Sequence, residues 1–151
     1  MKNQGSIEID RSIAEVFELT TRYVAHWSII VVEDTLLTGD GGVGSTFHTI
    51  TEERGRRMEF RGEVIAHSPP SQSTIRLIGD QFDVLAEYSF EDVGGRTRVT
   101  QRAKVTGKGF FRFFLLICGW LMRAQSEETQ NEDLASLKQF CENYSGAVTS
   151  A

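Results

Sequence analysis

The 151-residue sequence predicts an α+β domain in which a seven-stranded, curved antiparallel sheet wraps around one long C-terminal helix. Three observations carry that expectation. Between Ser28 and Thr106, β-branched and aromatic residues come in runs of roughly eight to twelve, each closed by turn chemistry. One short strand and two short helical patterns precede them. After Gly107-Lys108-Gly109 the chain has no proline and one glycine until Gly146, which suits a helix of about thirty residues. A hydrophobic content of 40% over this length supplies one core of ordinary size and is too little for two comfortable domains. Residues 1–145 are therefore expected to form one domain, followed by a small, polar and flexible tail at 146–151.

Taken in order, Ser6 to Asp10 alternate apolar and polar with Ile7 and Ile9 on one face, the period-two mark of a short strand. Ser12 followed by Glu15 fits a capping box, and Ile13, Val16 and Phe17 recur at helical spacing, so a helix begins just after Ser12. Tyr23 to Trp27 suits a second short helix or turn. Gly39-Asp40-Gly41-Gly42, Arg54-Gly55, Ser68-Pro69-Pro70-Ser71, Gly79-Asp80 and Asp92-Val93-Gly94-Gly95 then divide the middle of the chain into about six strands. Connections this short favour antiparallel hairpins, because parallel pairing needs crossover helices.

Alternation assigns an inside and an outside. From Arg57 to Ile65, Met58, Phe60 and Val64 share a face with Gly62, opposite Glu59, Arg61 and Glu63. Phe82, Val84, Ala86, Tyr88 and Phe90 form a second apolar face; on the last strand Val99, Ala103 and Val105 oppose Arg98, Thr100, Arg102 and Lys104. Such one-sided strands need a cover, and the final segment supplies it. Its apolar stripe has two seams, Phe114, Ile117, Cys118 and Leu121, then Leu134, Leu137, Cys141 and Tyr144. Between them Gln125 to Asp133 is polar nearly all round, so either the helix breaks there or polar side chains turn towards a cavity.

Composition excludes several classes of function. A net charge of −5 and a pI near 5.2 argue against nucleic acid or anionic lipid as the main partner, since counterion release needs clustered cations. Met1 to Asp10 shows no secretory or transit signal, so a cytoplasmic location is expected. Phe110 to Met122 is apolar apart from Arg112 and Gly119, yet shorter than the roughly 20 residues that span a bilayer, which predicts no stable membrane insertion. Cys118 and Cys141 fall on one predicted helix, about 34 Å apart at a rise of about 1.5 Å per residue, and read as reduced packing thiols.

The chemistry-bearing residues point away from a metal or cofactor. His26, His48 and His67 offer no metal-ligand spacing, and none is expected. His26, beside Trp27, is the candidate polar group near the mouth of an enclosed space, against the plainer reading of an exposed histidine. Glu59, Glu63, Asp83 and Glu87 fall with the solvent-facing set by parity, where Arg61, Arg76 and Arg102 could pair with them across strands. Gly39 to Gly44 lacks the strand-to-helix setting and the lysine of a phosphate loop, and is a hairpin.

The order of elements, together with Ile9-Asp10-Arg11-Ser12-Ile13-Ala14-Glu15-Val16-Phe17, Trp27 ten residues on, Gly44, Gly95-Arg96-Thr97-Arg98-Val99-Thr100, and Leu134, Leu137, Lys138 and Glu142, resembles the polyketide cyclase/dehydrase and lipid-transport superfamily of START-like, helix-grip proteins. Where relatives often have proline, Ser12 serves the helix start equally well. The phenylalanine-rich opening of the last helix matches no particular subfamily. The resemblance implies a pocket between sheet and long helix that holds a small hydrophobic molecule, lipid- or polyketide-like. Its expected lining is Trp27, Phe47, Phe60, Ile75, Leu77, Tyr88, Phe114 and Leu121, with the tyrosine hydroxyl as a polar anchor, although each residue could equally be core. Two other readings compete with a carrier: an aromatase/cyclase-like enzyme acting on such a ligand, and an interaction module whose Phe110 to Leu121 surface joins a homodimer.

Overall fold

The computed structural model describes residues 2–145, with side chains except those of 114–125. The elements run β1 (Lys2–Ile9), α1 (Ile13–Arg22), α2 (Val24–Trp27), β2 (Val31–Thr38), β3 (Thr46–Glu53), β4 (Arg56–Ser68), β5 (Gln72–Ile78), β6 (Phe82–Val93), β7 (Arg96–Gly107) and α3 (Phe110–Asn143). The sheet is wholly antiparallel in the order β1-β7-β6-β5-β4-β3-β2: β2 to β7 form a continuous meander, and β1 adds to its far edge. Curvature and α3 make this the helix-grip architecture that the sequence predicts. No helix among the described residues is long and apolar enough to cross a membrane.

Local chemistry explains the joints. Ser12 caps α1 by accepting from the Glu15 N–H, and its hydroxyl donates to Glu15 Oε1 at 2.8 Å, so the expected pair of residues meets at the helix start through the serine hydroxyl and not through the Ser12 N–H of a full capping box. Arg11, held by Glu15 at 2.8 Å, donates to the carbonyls of Cys141 (2.7 Å) and Tyr144 (2.6 Å). One guanidinium thereby satisfies orphan carbonyls at the end of α3 and ties that end to the β1–α1 loop. Arg54-Gly55 and Gly94-Gly95 turn with positive φ at both residues (52° and 77°; 68° and 88°), as a two-residue hairpin between twisted strands requires.

Two elements differ from the sequence reading. β1 starts at Lys2, not Ser6, because residues 2–5 are held by pairing with Lys104 to Gln101 of β7, an edge ladder that needs no apolar alternation. α3 does not break at its polar stretch. It runs 34 residues, and Thr129, Gln130 and Asp133 turn inward and are buried. Of the two explanations for the interrupted stripe, the inward turn is therefore the one that holds.

The main core fills one end of the grip. Ile9, Val16, Phe17, Leu19, Trp27, Phe90, Val99, Leu134, Leu137 and Cys141 form one buried cluster that clamps α1 and α2 between the sheet and the last turns of α3. At the other end Phe82 packs edge-on against Phe111 (5.1 Å between ring centres), and Phe47 and Phe60 lie over Gly62 and Gly79. The predicted tail at 146–151 lies outside the described residues.

Candidate functional site in the concave face

Residues directly opposite in an antiparallel ladder share a face, so the register fixes which side chains look towards α3. Phe47, Gly62, Leu77, Val84 and Val105 form one row across β3 to β7, and Val64, Ile75, Ala86 and Ala103 form the next. Between the packed ends, Ile75, Leu77, Val84, Ala103 and Val105 are only half-buried, although they lie on the face that the helix covers. A fully interdigitated core would bury them as it buries Phe90 and Val99.

A belt of polar groups crosses this apolar wall. Tyr88 of β6 stands opposite Gln101 of β7, whose Nε2 donates to the tyrosine oxygen at 2.6 Å. Gln130 of α3 donates to the Gln101 carbonyl at 3.2 Å. One turn on, Asp133, 6% exposed, accepts from Ser28 Oγ at 2.9 Å and from the Ile29 N–H at 2.7 Å, both on Oδ1. Thr129 donates to Glu53 of β3 at 3.2 Å. Burial raises the Asp133 pKa above the ordinary carboxylate value, opposed by those two hydrogen bonds and reinforced by Glu53. Burial, then the Asp133 charge, likewise raises the Tyr88 phenol, against the lowering effect of the Gln101 bond. The tyrosine is thus a neutral donor at every physiological pH.

The eight expected lining residues are not placed alike. Ile75, Leu77 and Tyr88 sit in the middle of the concave face, while Phe47 and Phe60 close its aromatic end. Trp27 is 2% exposed within the main core, its indole N–H donating to the Thr20 carbonyl at 3.0 Å. The side chains of Phe114 and Leu121 lie outside the described residues, as does that of Cys118. His26 is exposed on the outer side of α2, between Tyr23 and Phe140 at ring distances of 5.5 and 6.4 Å, and does not join the inward set. Glu63 and Glu87 stand opposite Arg76 and Arg102 on the convex face, His48 approaches Glu59 at 3.8 Å, and Asp83 pairs with Lys108 at 2.9 Å. Cys141 is fully buried, and burial pushes its thiol up to about 12, which suits packing and not nucleophilic attack. Among the described residues no group of three or more histidine, cysteine or acidic side chains could hold a metal ion.

Sequence reasoning missed Gln101, Gln130 and Asp133 as members of the site. A signal for them existed: Gln101 interrupts the inward parity of Val99, Ala103 and Val105, and the polar stretch of α3 holds the other two.

Comparison with known proteins agrees with this fold. The family described as polyketide cyclase/dehydrase and lipid transport matches residues 2–139. A search of curated proteins finds no match. Among solved structures, a START superfamily protein from Mycobacterium smegmatis superposes with TM-score 0.79 at 17% identity, covering 93% of this chain and 97% of that one. The Zhui aromatase/cyclase from Streptomyces sp. R1128 gives 0.78 at 11% identity, covering 94% and 93%. The major latex-like protein 151 from Panax ginseng gives 0.67 at 16%, covering 94% and 95%. At these identities the superpositions establish the fold.

Proposed function

The chain belongs to the polyketide cyclase/dehydrase and lipid transport family, and on that premise we propose that it binds a small hydrophobic molecule between the concave face of its sheet and α3. The observation that carries this reading is the half-burial of Ile75, Leu77, Val84, Ala103 and Val105 on a face already covered by a helix. Apolar side chains left short of full burial there gain about 25 cal/mol for each Å² that a guest removes from water. The polar belt supplies orientation, and the packed ends supply rigidity. Native mass spectrometry of the purified protein, followed by untargeted identification of whatever it releases, tests the reading. The expected result is a bound lipid- or polyketide-like mass and a higher melting temperature on re-adding it. A protein that is consistently empty and that no apolar compound stabilises would overturn it.

A second reading, aromatase/cyclase-like turnover, is favoured by one observation: the Tyr88 hydroxyl and the Asp133 carboxyl face the same interior, where a proton donor and an acceptor could steer a condensing chain. Recovery of the ligand lighter by one water after incubation would support turnover. Its recovery unchanged supports binding alone.

A further inference from the structure

We propose that the Tyr88 hydroxyl, held by Gln101 beside the Asp133 carboxyl, selects neutral oxygen-bearing hydrophobes such as alcohols and ketones over molecules that end in a carboxylate. This rests on the binding reading above and adds a rule for the ligand's polar end.

The geometry gives the first half of the rule. A phenol has one proton and two lone pairs, and the Gln101 amide at 2.6 Å occupies a lone pair. The proton therefore points away from Gln101, and the Tyr88 hydroxyl donates no hydrogen bond to another described residue. Tyr88 is half-buried in the same row of the concave face as Ser73 and Gln101, one step from the apolar Ile75 and Ala103. A guest whose alkyl or aromatic body lies on those apolar residues places a terminal oxygen within reach of that proton. An oxygen there completes the hydroxyl, whereas a bare hydrocarbon leaves the donor buried without a partner.

Charge gives the second half. Gln130 reaches the Gln101 carbonyl at 3.2 Å and Asp133 follows it by one turn on the same buried face of α3, so the Asp133 carboxyl shares the interior with the Tyr88–Gln101 pair and disfavours negative charge on the phenol oxygen; the partners of Asp133 are the neutral Ser28 hydroxyl and the Ile29 amide, not a cation. A ligand carboxylate at the hydroxyl would meet that same field beside apolar walls that screen it less than bulk water does. An alcohol or a carbonyl would not.

Competition against the neutral dye Nile red at neutral pH tests the rule with three guests of equal chain length, lauryl alcohol, lauric acid and dodecane, on the wild type, Tyr88→Phe and Asp133→Asn. The alcohol is expected to bind about tenfold more tightly than the acid to the wild type. Tyr88→Phe should weaken the alcohol about three- to tenfold, the range of one neutral hydrogen bond, and strengthen dodecane, which no longer leaves a donor without a partner. Asp133→Asn, which keeps an oxygen for Ser28 and Ile29, should strengthen the acid several-fold relative to the alcohol. Equal or tighter binding of the acid by the wild type overturns the inference, as does an unchanged alcohol affinity in Tyr88→Phe, while either result leaves the binding reading standing. Failure of Nile red and all three guests to bind overturns the binding reading itself.

Discussion

Substitution of Gly62 by alanine probes the aromatic end of the grip at a single atom. Gly62 stands directly opposite Phe47 in the β3–β4 ladder, and a Cβ built on it would lie 2.1, 2.2 and 2.6 Å from Cε2, Cζ and Cδ2 of the Phe47 ring. Carbon atoms rest at about 3.5–4.0 Å, so the ring would have to swing by more than an ångström. It has little room, being 9% exposed. Overpacking of this kind costs about 1–3 kcal/mol, and replacing a strand glycine returns roughly 0.5 kcal/mol of that. The net loss of about 0.5–2.5 kcal/mol corresponds to a fall in Tm of about 1–10 °C for a chain of this size. Thermal unfolding by circular dichroism measures it. The Phe47→Ala background removes the obstructing ring, and there Gly62→Ala should be neutral or slightly stabilising. Equal losses with and without the Phe47 ring would refute the reasoning, because the cost could then not come from ring contact.

Three further outcomes follow from the same structure. Leu137→Ala removes a fully buried side chain from the core that clamps α3 to the sheet, and urea denaturation should show a loss of about 2–5 kcal/mol. In a Cys118→Ser background the Cys141 thiol, raised to about 12, should stay unmodified by a thiol-directed disulfide reagent in the native protein and react at once in denaturant; rapid native labelling would contradict its burial. Glu142 is lowered from 4.5, first by the Asp10 N–H at 2.8 Å and then by Lys138 at 2.9 Å. Its folded pKa lies below its unfolded one, so its stabilisation is present above 4.5 and disappears as pH falls through the folded value. Glu142→Gln should accordingly lower the urea midpoint at neutral pH and match the wild type in strong acid; a difference independent of pH would show that the carboxylate charge plays no part.

The strands and the helix faces were legible in the chain, because period-two alternation and turn residues are local signals. Phe82, Ala86 and Phe90 share the buried face of β6 as their spacing requires, and Ser12 caps α1 as its partner Glu15 implies. Local signals also exposed the polar interruption of α3, but not its meaning. That Thr129, Gln130 and Asp133 turn inward on an unbroken helix emerges with the folded chain, since it depends on which face the curved sheet presents to them. Folding likewise sent Trp27 into the packed core and His26 to the outer surface, and brought Tyr88, Gln101 and Asp133 together from three elements. The first strand shows the same division: residues 2–5 carry no apolar alternation of their own and are ordered by pairing with β7 and by α3, whose Leu134 lies over Gly5. Periodicity tells each residue which side it faces, and the closing of the sheet around the helix tells it what lies there.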